Sequence, residues 1–202
     1  MAEFSSKDFK YRQMELNDVD EIVEIHLQSF EDGILTAFGK YFLSKMYELY
    51  LRNGNYGCVV TSSGKVIGFC LGTSNAVNLT KILDLRLIFN LIRSLMLKPR
   101  ILLRLLSGLN GTPTIEAGNK DIELSHIALA PDFRSLGIGS ELVHYFEKEV
   151  RVRGFNSIIS RTHNEALSDY YIREKAASVV SRFSRSGVEY TVVKWGLGKY
   201  VE

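Results

Sequence analysis

Apolar and polar positions along the chain change period several times, and each change marks an element. FKYRQM (9–14) alternates with the two-residue period of a half-buried strand. NDVDEIVEIHLQSF (17–30) places Ile22, Ile25, Leu27 and Phe30 at near-helical spacing behind an acidic start. Asn17 is its expected N-cap, and the helix dipole favours the acids that follow. A second helix fits LTAFGKYFLSKMYELYLRN (35–53), closed by Asn53-Gly54. YGCVVTS (56–62) and KVIGFCLGTS (65–74) read as strands joined by Ser63-Gly64, a hairpin signal. Leu, Ile, Phe and basic residues then fill 79–108, with Pro99 dividing two expected helices. KDIELSHIALA (120–130) reads as a long strand, GIGSELVHYFEKEVRVR (137–153) as an amphipathic helix stopped at Gly154, and FNSIIS (155–160) as a strand. NEALSDYYIREKAA (164–177) is a short helix, and SVVSRFSRSGVEYTVVKWGL (178–197) a hairpin around Ser186-Gly187. The order β-α-α-β-β-(insertion)-β-α-β-α-β-β predicts one mixed α/β domain over residues 1–202, with a helical insertion at 78–109 between the third and fourth strands.

Composition narrows the class. At 202 residues, 46% hydrophobic and 24% charged, the chain has the make-up of an ordinary soluble globule with a proper core. A net charge of +2 gives no reason to expect nucleic acid. Cys58 and Cys70 lie inside apolar runs and read as buried free thiols, without a disulfide framework. MAEFSSKDFKYRQMEL lacks the apolar core of a signal peptide, so the cytoplasm is the default expectation. Charge is unevenly placed: Lys81, Arg86, Arg93, Lys98, Arg100 and Arg104 against Asp84 give 79–108 a charge of +5, leaving −3 for the rest.

The stretch APDFRSLGIGSEL (130–142) calls for its own explanation, because two glycines in a first turn weaken a helix. A helix start offers several N–H groups without partners and a partial positive charge. Glycines there let an anion approach the backbone, and Arg134 adds a charge beside it. A dinucleotide fingerprint would need a third glycine where Leu142 stands, and a G-x-x-x-x-G-K-[ST] loop is absent. What remains is R-x-x-G-x-G, Arg134 to Gly139, between HIALAP and an amphipathic helix.

In these residues the chain resembles the GNAT family of N-acetyltransferases: LSHIALAPDFRSLGIGSELVHYFEKEV has the family's acyl-CoA motif, with Pro, aromatic, Arg and both Gly at the family spacing. The element order agrees along most of the chain. The resemblance implies a GNAT fold, a mixed central sheet flanked by helices, and acetyl-CoA or another acyl-CoA as co-substrate without a metal. It implies that amides of Ser135, Leu136, Gly137, Ile138, Gly139 and Ser140 hold the CoA pyrophosphate, and that Ile127, Ala128 and Leu129 pair through their backbone with the pantetheine arm. NEALSDYYIREKAA resembles a second family segment, N-x-x-A-x-x-Y-Y, with Asn164 and Tyr171 seven residues apart. It departs from the pattern at Leu167, where Ala is usual, and at Lys175-Ala176, where Gly-Phe is usual. Tyr171 matches the family's acid, and Tyr170 is expected to be the packing residue of the pair.

Acyl transfer from a thioester to an amine needs a neutral amine, a polarised carbonyl and a proton for the departing thiolate. A tyrosine of pKa about 10 can protonate a thiol of about 8.5, which fits Tyr171. Backbone N–H groups near Leu129 could polarise the thioester oxygen. Strand alternation places Glu123, Ser125, Ile127 and Leu129 on one face and Leu124, His126 and Ala128 on the other. Several family members use a glutamate on this strand as base, which points to Glu123; a bulge would exchange the faces and promote His126 instead. An acceptor that is already partly neutral needs no base. His163, next to Asn164 at a strand end, is a candidate lining residue, whereas His26 and His144 read as structural or surface positions.

Three readings of the insertion stay open: packing on the sheet or in a dimer, a basic amphipathic surface for anionic lipid, or an acceptor lid whose Arg86 and Arg93 hold substrate phosphates. A similar leucine- and arginine-rich insertion occurs in GNAT-like enzymes that acylate nucleotide-linked amino sugars for surface polysaccharides. The resemblance therefore implies N-acylation of a nucleotide-activated amino sugar in a ternary complex, by a monomer or homodimer. A polyamine, an antibiotic or a protein amine is the alternative acceptor, and a CoA-binding or membrane-surface regulatory module is the non-enzyme alternative.

Overall fold

The structure is a computed structural model that describes residues 9–31, 33–74, 118, 120–185 and 187–198. The expected insertion at 78–109, with Arg86 and Arg93, lies outside the described residues. Strand β1 (Phe9–Gln13) leads into helix α1 (Val19–Ser29), the short helix α2 (Ile34–Ala37) and helix α3 (Gly39–Arg52). The hairpin β2 (Tyr56–Ser62) and β3 (Lys65–Thr73) follows, then β4 (Asp121–Leu129) and helix α4 (Ile138–Val152). Strand β5 (Ser157–Thr162), helix α5 (Glu165–Glu174) and the hairpin β6 (Ser178–Arg185) with β7 (Val188–Gly196) complete the chain.

The seven strands form one sheet in the order β1-β2-β3-β4-β5-β7-β6. All neighbours are antiparallel except β4 and β5, which the α4 crossover makes parallel. Apolar side chains cover both faces, as they must in a sheet sandwiched between helices. On one face α4 and α5 pack Ile138, Leu142, Phe146 and Tyr171 against Ile122, Leu124, Ile158 and Trp195. On the other, α1 and α3 pack Ile22, Val23, Leu43, Met46 and Tyr47 against Val59, Phe69, Leu71 and Ala128. Gly72 is required at the first face, because a Cβ there would lie 2.5 Å from the Phe146 ring and 2.7 Å from Ile122.

Two local details depart from the sequence reading. Asn17 is not the cap of the first helix. It lies inside a 3-10 turn, Leu16–Asp18, and Asp18 precedes α1. The Asp18 carboxylate accepts from both guanidinium nitrogens of Arg12 at 2.7 Å and from the Glu15 amide at 2.8 Å, which fixes the turn. Burial pushes this carboxyl up, but those bonds and the Arg12 charge outweigh it and hold its pKa below the usual value. Strand β5 begins two residues later than FNSIIS suggested, because the Phe155 amide still donates to Val150 O at 3.2 Å in the turn that ends α4, and it runs on to Thr162.

Candidate active site

Strands β4 and β5 pair only over Asp121–Leu124 against Ser157–Ser160, and then part. Beyond that point β4 keeps β3 on one side, with Ile127 opposite Cys70 and Leu129 opposite Gly68, while β5 keeps only β7. Among the described residues no strand covers the β5 side of Ser125–Leu129, so the main chain there is open to a ligand that brings its own amides. Ile127, Ala128 and Leu129 all lie on this open stretch.

The chain leaves β4 through a 3-10 turn, Pro131–Phe133, and enters α4 by way of Ser135 at φ 63° and Gly137 at φ 79°. Left-handed backbone at Gly137 turns the chain into the helix, and a side chain there would be strained whatever the space. Gly139 is different: a Cβ would meet only Leu129 Cδ1, at 3.6 Å, so the protein itself tolerates a side chain there. The amides of Ser135, Leu136, Gly137, Ile138 and Gly139 donate to no group among the described residues, whereas the Ser140 amide returns to Gly137 O at 3.0 Å. A helix start with five such donors is an anion cradle. Arg134 is turned away from that cradle. Its Nε donates to Leu129 O at 3.1 Å and its terminal nitrogen to Ser29 Oγ at 3.0 Å, tying the end of β4 to α1.

Helix α5 closes the other wall. Asn164 is its N-cap, accepting the Leu167 amide at 3.1 Å, so Oδ1 works for the helix and Nδ2 is the end left for a ligand. Tyr171, two turns on, is fully buried, and its ring stacks on Trp195 at 4.7 Å and 20°. Its hydroxyl has no hydrogen-bond partner. Burial raises its pKa, while the nearby Ser160 hydroxyl, which itself donates to Leu124 O, pulls the other way. Ser160 pairs with Leu124 where the strands part, which puts the Tyr171 hydroxyl at the apex of the gap. Tyr170 packs half-buried against this core, as the sequence reading expected, and its hydroxyl bonds Ser140 Oγ at 2.8 Å, linking α5 to the start of α4. Trp195 is held by its indole N–H on Glu147 Oε1 at 2.8 Å, and Glu147 also takes Lys175 at 2.8 Å.

The faces of β4 require a correction. Leu71 and Gly72 are adjacent on β3, yet they pair with His126 and Leu124, so Ser125 is an extra residue. The bulge puts Glu123, His126 and Ala128 on the α1/α3 face and Leu124, Ile127 and Leu129 on the α4/α5 face. Glu123 and His126 thus share a face that strict alternation had divided. Glu123 is ion-paired with Arg161 at 3.3 Å; burial raises its carboxyl, and Arg161 pulls it back down. His126 packs 5.6 Å from His26 and 6.1 Å from Tyr47, with its Nδ1 buried and without a partner. His26 Nδ1 lies 2.7 Å from Tyr47 Oη.

Burial depresses both imidazoles, His126 to about 4 and His26 to about 3, with the neighbouring His126 adding to the shift of His26. An unfolded chain takes up these protons near pH 6.5, and the folded chain resists until about 4 and 3. Stability is therefore complete above about pH 6.5 and drains away as the pH falls toward 3. Melting temperature recorded from pH 8 to pH 4 is expected to fall on the acid side, and His26→Gln is expected to flatten that fall; an equal slope in the variant would refute the assignment.

Of the remaining candidates, His163 is exposed and sits edge-on to Tyr190 at 5.4 Å, at the end of β5. Cys58 and Cys70 are free and buried, directly opposite on β2 and β3. Among the described residues, no group of His, Cys, Asp and Glu could hold a metal ion, and no helix is long and apolar enough to cross a membrane. Sequence reasoning missed His26, Tyr47, Arg161 and the Glu147–Trp195 clamp. Of these only Arg161 carried a signal: it is a charge directly after the apolar run SIIS.

A sheet that splits beside a glycine-rich helix start is matched in sequence as well. Residues 19–173 match the model of the acetyltransferase (GNAT) family. The chain belongs to this family. It is accordingly an acyl-CoA-dependent N-acyltransferase, and its seven-stranded sheet with flanking helices is the GNAT fold. Similar solved structures include yncA from Salmonella typhimurium with its cofactor acetyl-CoA, at 13% identity and TM-score 0.63, covering 96% of this chain and 97% of that one. An N-acetyltransferase from Staphylococcus aureus Mu50 is similar at 14% identity and TM-score 0.61, over 94% and 99% of the two chains. A ribosomal-protein-alanine N-acetyltransferase from Brucella melitensis is similar at 15% identity and TM-score 0.61, over 92% and 98%. At these identities the likeness is one of fold. No curated protein sequence matches at a significant level. GNAT membership gives a meaning to the gap and the cradle, because a carrier with a diphosphate and an amide-bearing arm is what such a pair can hold.

Proposed function

We propose that this GNAT enzyme moves an acetyl or somewhat longer acyl group from CoA to the amino group of a nucleotide-linked amino sugar, by direct attack in a ternary complex. One observation carries the division of labour: the amide cradle lies at one end of the β4–β5 gap, and the titratable Glu123 and His126 lie on the opposite face of β4. In this reading the pyrophosphate sits on the amides of Ser135–Gly139, with Ser140, whose amide is turned back to Gly137 O, closing the turn behind them; the pantetheine arm lies along Ile127–Leu129, with Nδ2 of Asn164 on an arm carbonyl. Arg134 holds the strand end that the arm runs along. The amine nitrogen attacks the thioester carbon, and Glu123 takes the proton it sheds. The C–S bond then breaks, and the Tyr171 hydroxyl gives its proton to the departing sulfur. His126 and His163 line the acceptor side. Arg86 and Arg93 of the insertion are proposed to hold acceptor phosphates.

The test is thiol release measured with acetyl- and longer acyl-CoA against a panel of amines. Nucleotide-linked amino sugars are expected to turn over best; faster turnover of a polyamine, an aminoglycoside or a ribosomal-protein N-terminal peptide would overturn the acceptor assignment. Glu123 has its own signature. The acid limb of kcat/KM is expected above the ordinary carboxyl value of 4.5, because burial raises this group. Glu123→Gln should abolish that limb and lower turnover about 100-fold or more. A limb near 4 that survives in Glu123→Gln would assign the base to His126.

A further inference from the structure

The face that holds Glu123 continues across β5, β7 and β6, and there it carries donors without acceptors. Register sets Arg161 beside Val192, Val192 beside Ser181, Tyr190 beside Phe183 and Val188 beside Arg185. Alternation therefore brings Arg161, Ser181, Phe183, Tyr190 and Arg185 to one face. Nε of Arg161, Nε of Arg185 and Oγ of Ser181 are all buried and lack hydrogen-bond partners. Buried polar groups without partners are costly and uncommon, so three on one face call for an explanation. Between them the Phe183 and Tyr190 rings stack at 5.2 Å and 8°, with His163 edge-on to Tyr190. The acids of this face are already engaged, Asp121 with Lys194 at 2.7 Å and Glu123 with Arg161 at 3.3 Å. Arg185 has no acidic partner among the described residues.

We infer that Arg161 and Ser181 form a phosphoryl subsite, that the Phe183–Tyr190 pair accepts a planar ring and that Arg185 meets the polar edge of that ring, so that this face binds the nucleoside diphosphate part of the acceptor. The spacing favours such a ligand over a small carboxylate. Arg161 and Arg185 are four residues apart along β7 and two strands apart across it, about 16 Å between backbones. Two guanidinium groups on either side of a stacked pair suit an extended anion with an aromatic ring, whereas a single carboxylate would satisfy only one of them. Arg161 also stands beside Glu123, where its charge disfavours an ammonium and keeps the incoming amine neutral.

This inference rests on the acceptor side proposed above. It is tested by calorimetry with uridine, adenosine and guanosine diphosphates on protein saturated with CoA, so that the cradle at α4 is filled beforehand. At least one nucleoside diphosphate is expected to bind, and Arg185→Gln to weaken it tenfold or more while CoA affinity stays within twofold. Tyr190→Leu should weaken the nucleotide but leave inorganic pyrophosphate unaffected. No heat from any of the three on CoA-loaded protein, or full-strength binding by Arg185→Gln, would overturn the subsite. Equal affinity of native protein for inorganic pyrophosphate would overturn the role of the ring. The thiol-release panel reports separately: nucleotide heat that is lost in Arg185→Gln supports this face even where no nucleotide-linked amino sugar is turned over, which would count against the acceptor alone.

Discussion

Tyr171→Phe is expected to lower kcat about 100-fold or more at neutral pH while leaving CoA affinity within twofold. The argument starts from a hydroxyl that is buried, lies at the apex of the β4–β5 gap and bonds to nothing. Removing a partnerless buried hydroxyl costs no hydrogen bond, and the Phe ring keeps the stack on Trp195, so the melting temperature should hold or rise. A loss of turnover without a loss of stability separates chemistry from packing. Burial raises the Tyr171 pKa, so the phenol stays protonated across the working range, and kcat should show no alkaline limb from it below about pH 10. The measurement is steady-state thiol release with CoA binding followed in parallel. Unchanged turnover in Tyr171→Phe would remove Tyr171 from the mechanism.

Gly139→Val is expected to weaken CoA binding at least tenfold and to leave the fold intact. In the protein alone a Cβ at 139 meets only Leu129 Cδ1 at 3.6 Å, and valine suits a helix slightly better than glycine. Nothing in the chain itself therefore calls for glycine at this position; the demand comes from a group that must reach the free amides of Ser135–Gly139. Gly137 makes the contrast. Its φ of 79° means that Gly137→Ala strains the turn by about 1–2 kcal/mol whether or not CoA is present. Calorimetry with acetyl-CoA beside a melting curve distinguishes the two. Native affinity in Gly139→Val would show that the amides do not embrace the carrier.

Much of this architecture was legible from periodicity. Strand β2 falls on 56–62, where the Ser63-Gly64 hairpin signal set it, and the helix after Gly137 and the two strands of the terminal hairpin lie where the pattern put them. The glycines gave the cradle, because φ > 0 and close approach are local demands that leave a local mark. The facing of β4 was not legible. A bulge is decided by how β3 and β4 fit across the sheet, and Ser125 looks like any other strand residue in IELSHIALA. The first helix start was misread because Arg12, six residues away from Asp18, draws that carboxylate into the turn and leaves Asn17 beside it. His26 read only as a structural or surface position, and the tertiary fold alone sets it against His126 and Tyr47. Arg161 and Arg185 lie 24 positions apart and meet on one face only through the pairing of three strands.

The single supernumerary residue in β4 also bears on redesign. Ahead of Ser125 the strand is in step with β5, and beyond it with the opposite phase, so the two halves answer to different neighbours. On the proposed acceptor side, the first half and the terminal hairpin are the parts to exchange with another member of the family. The second half, with its loop and α4, would travel as a separate cassette on the proposed carrier side. A graft that keeps the extra residue at Ser125 preserves the facing of both halves, and one that loses it would exchange the faces of His126 and Ile127.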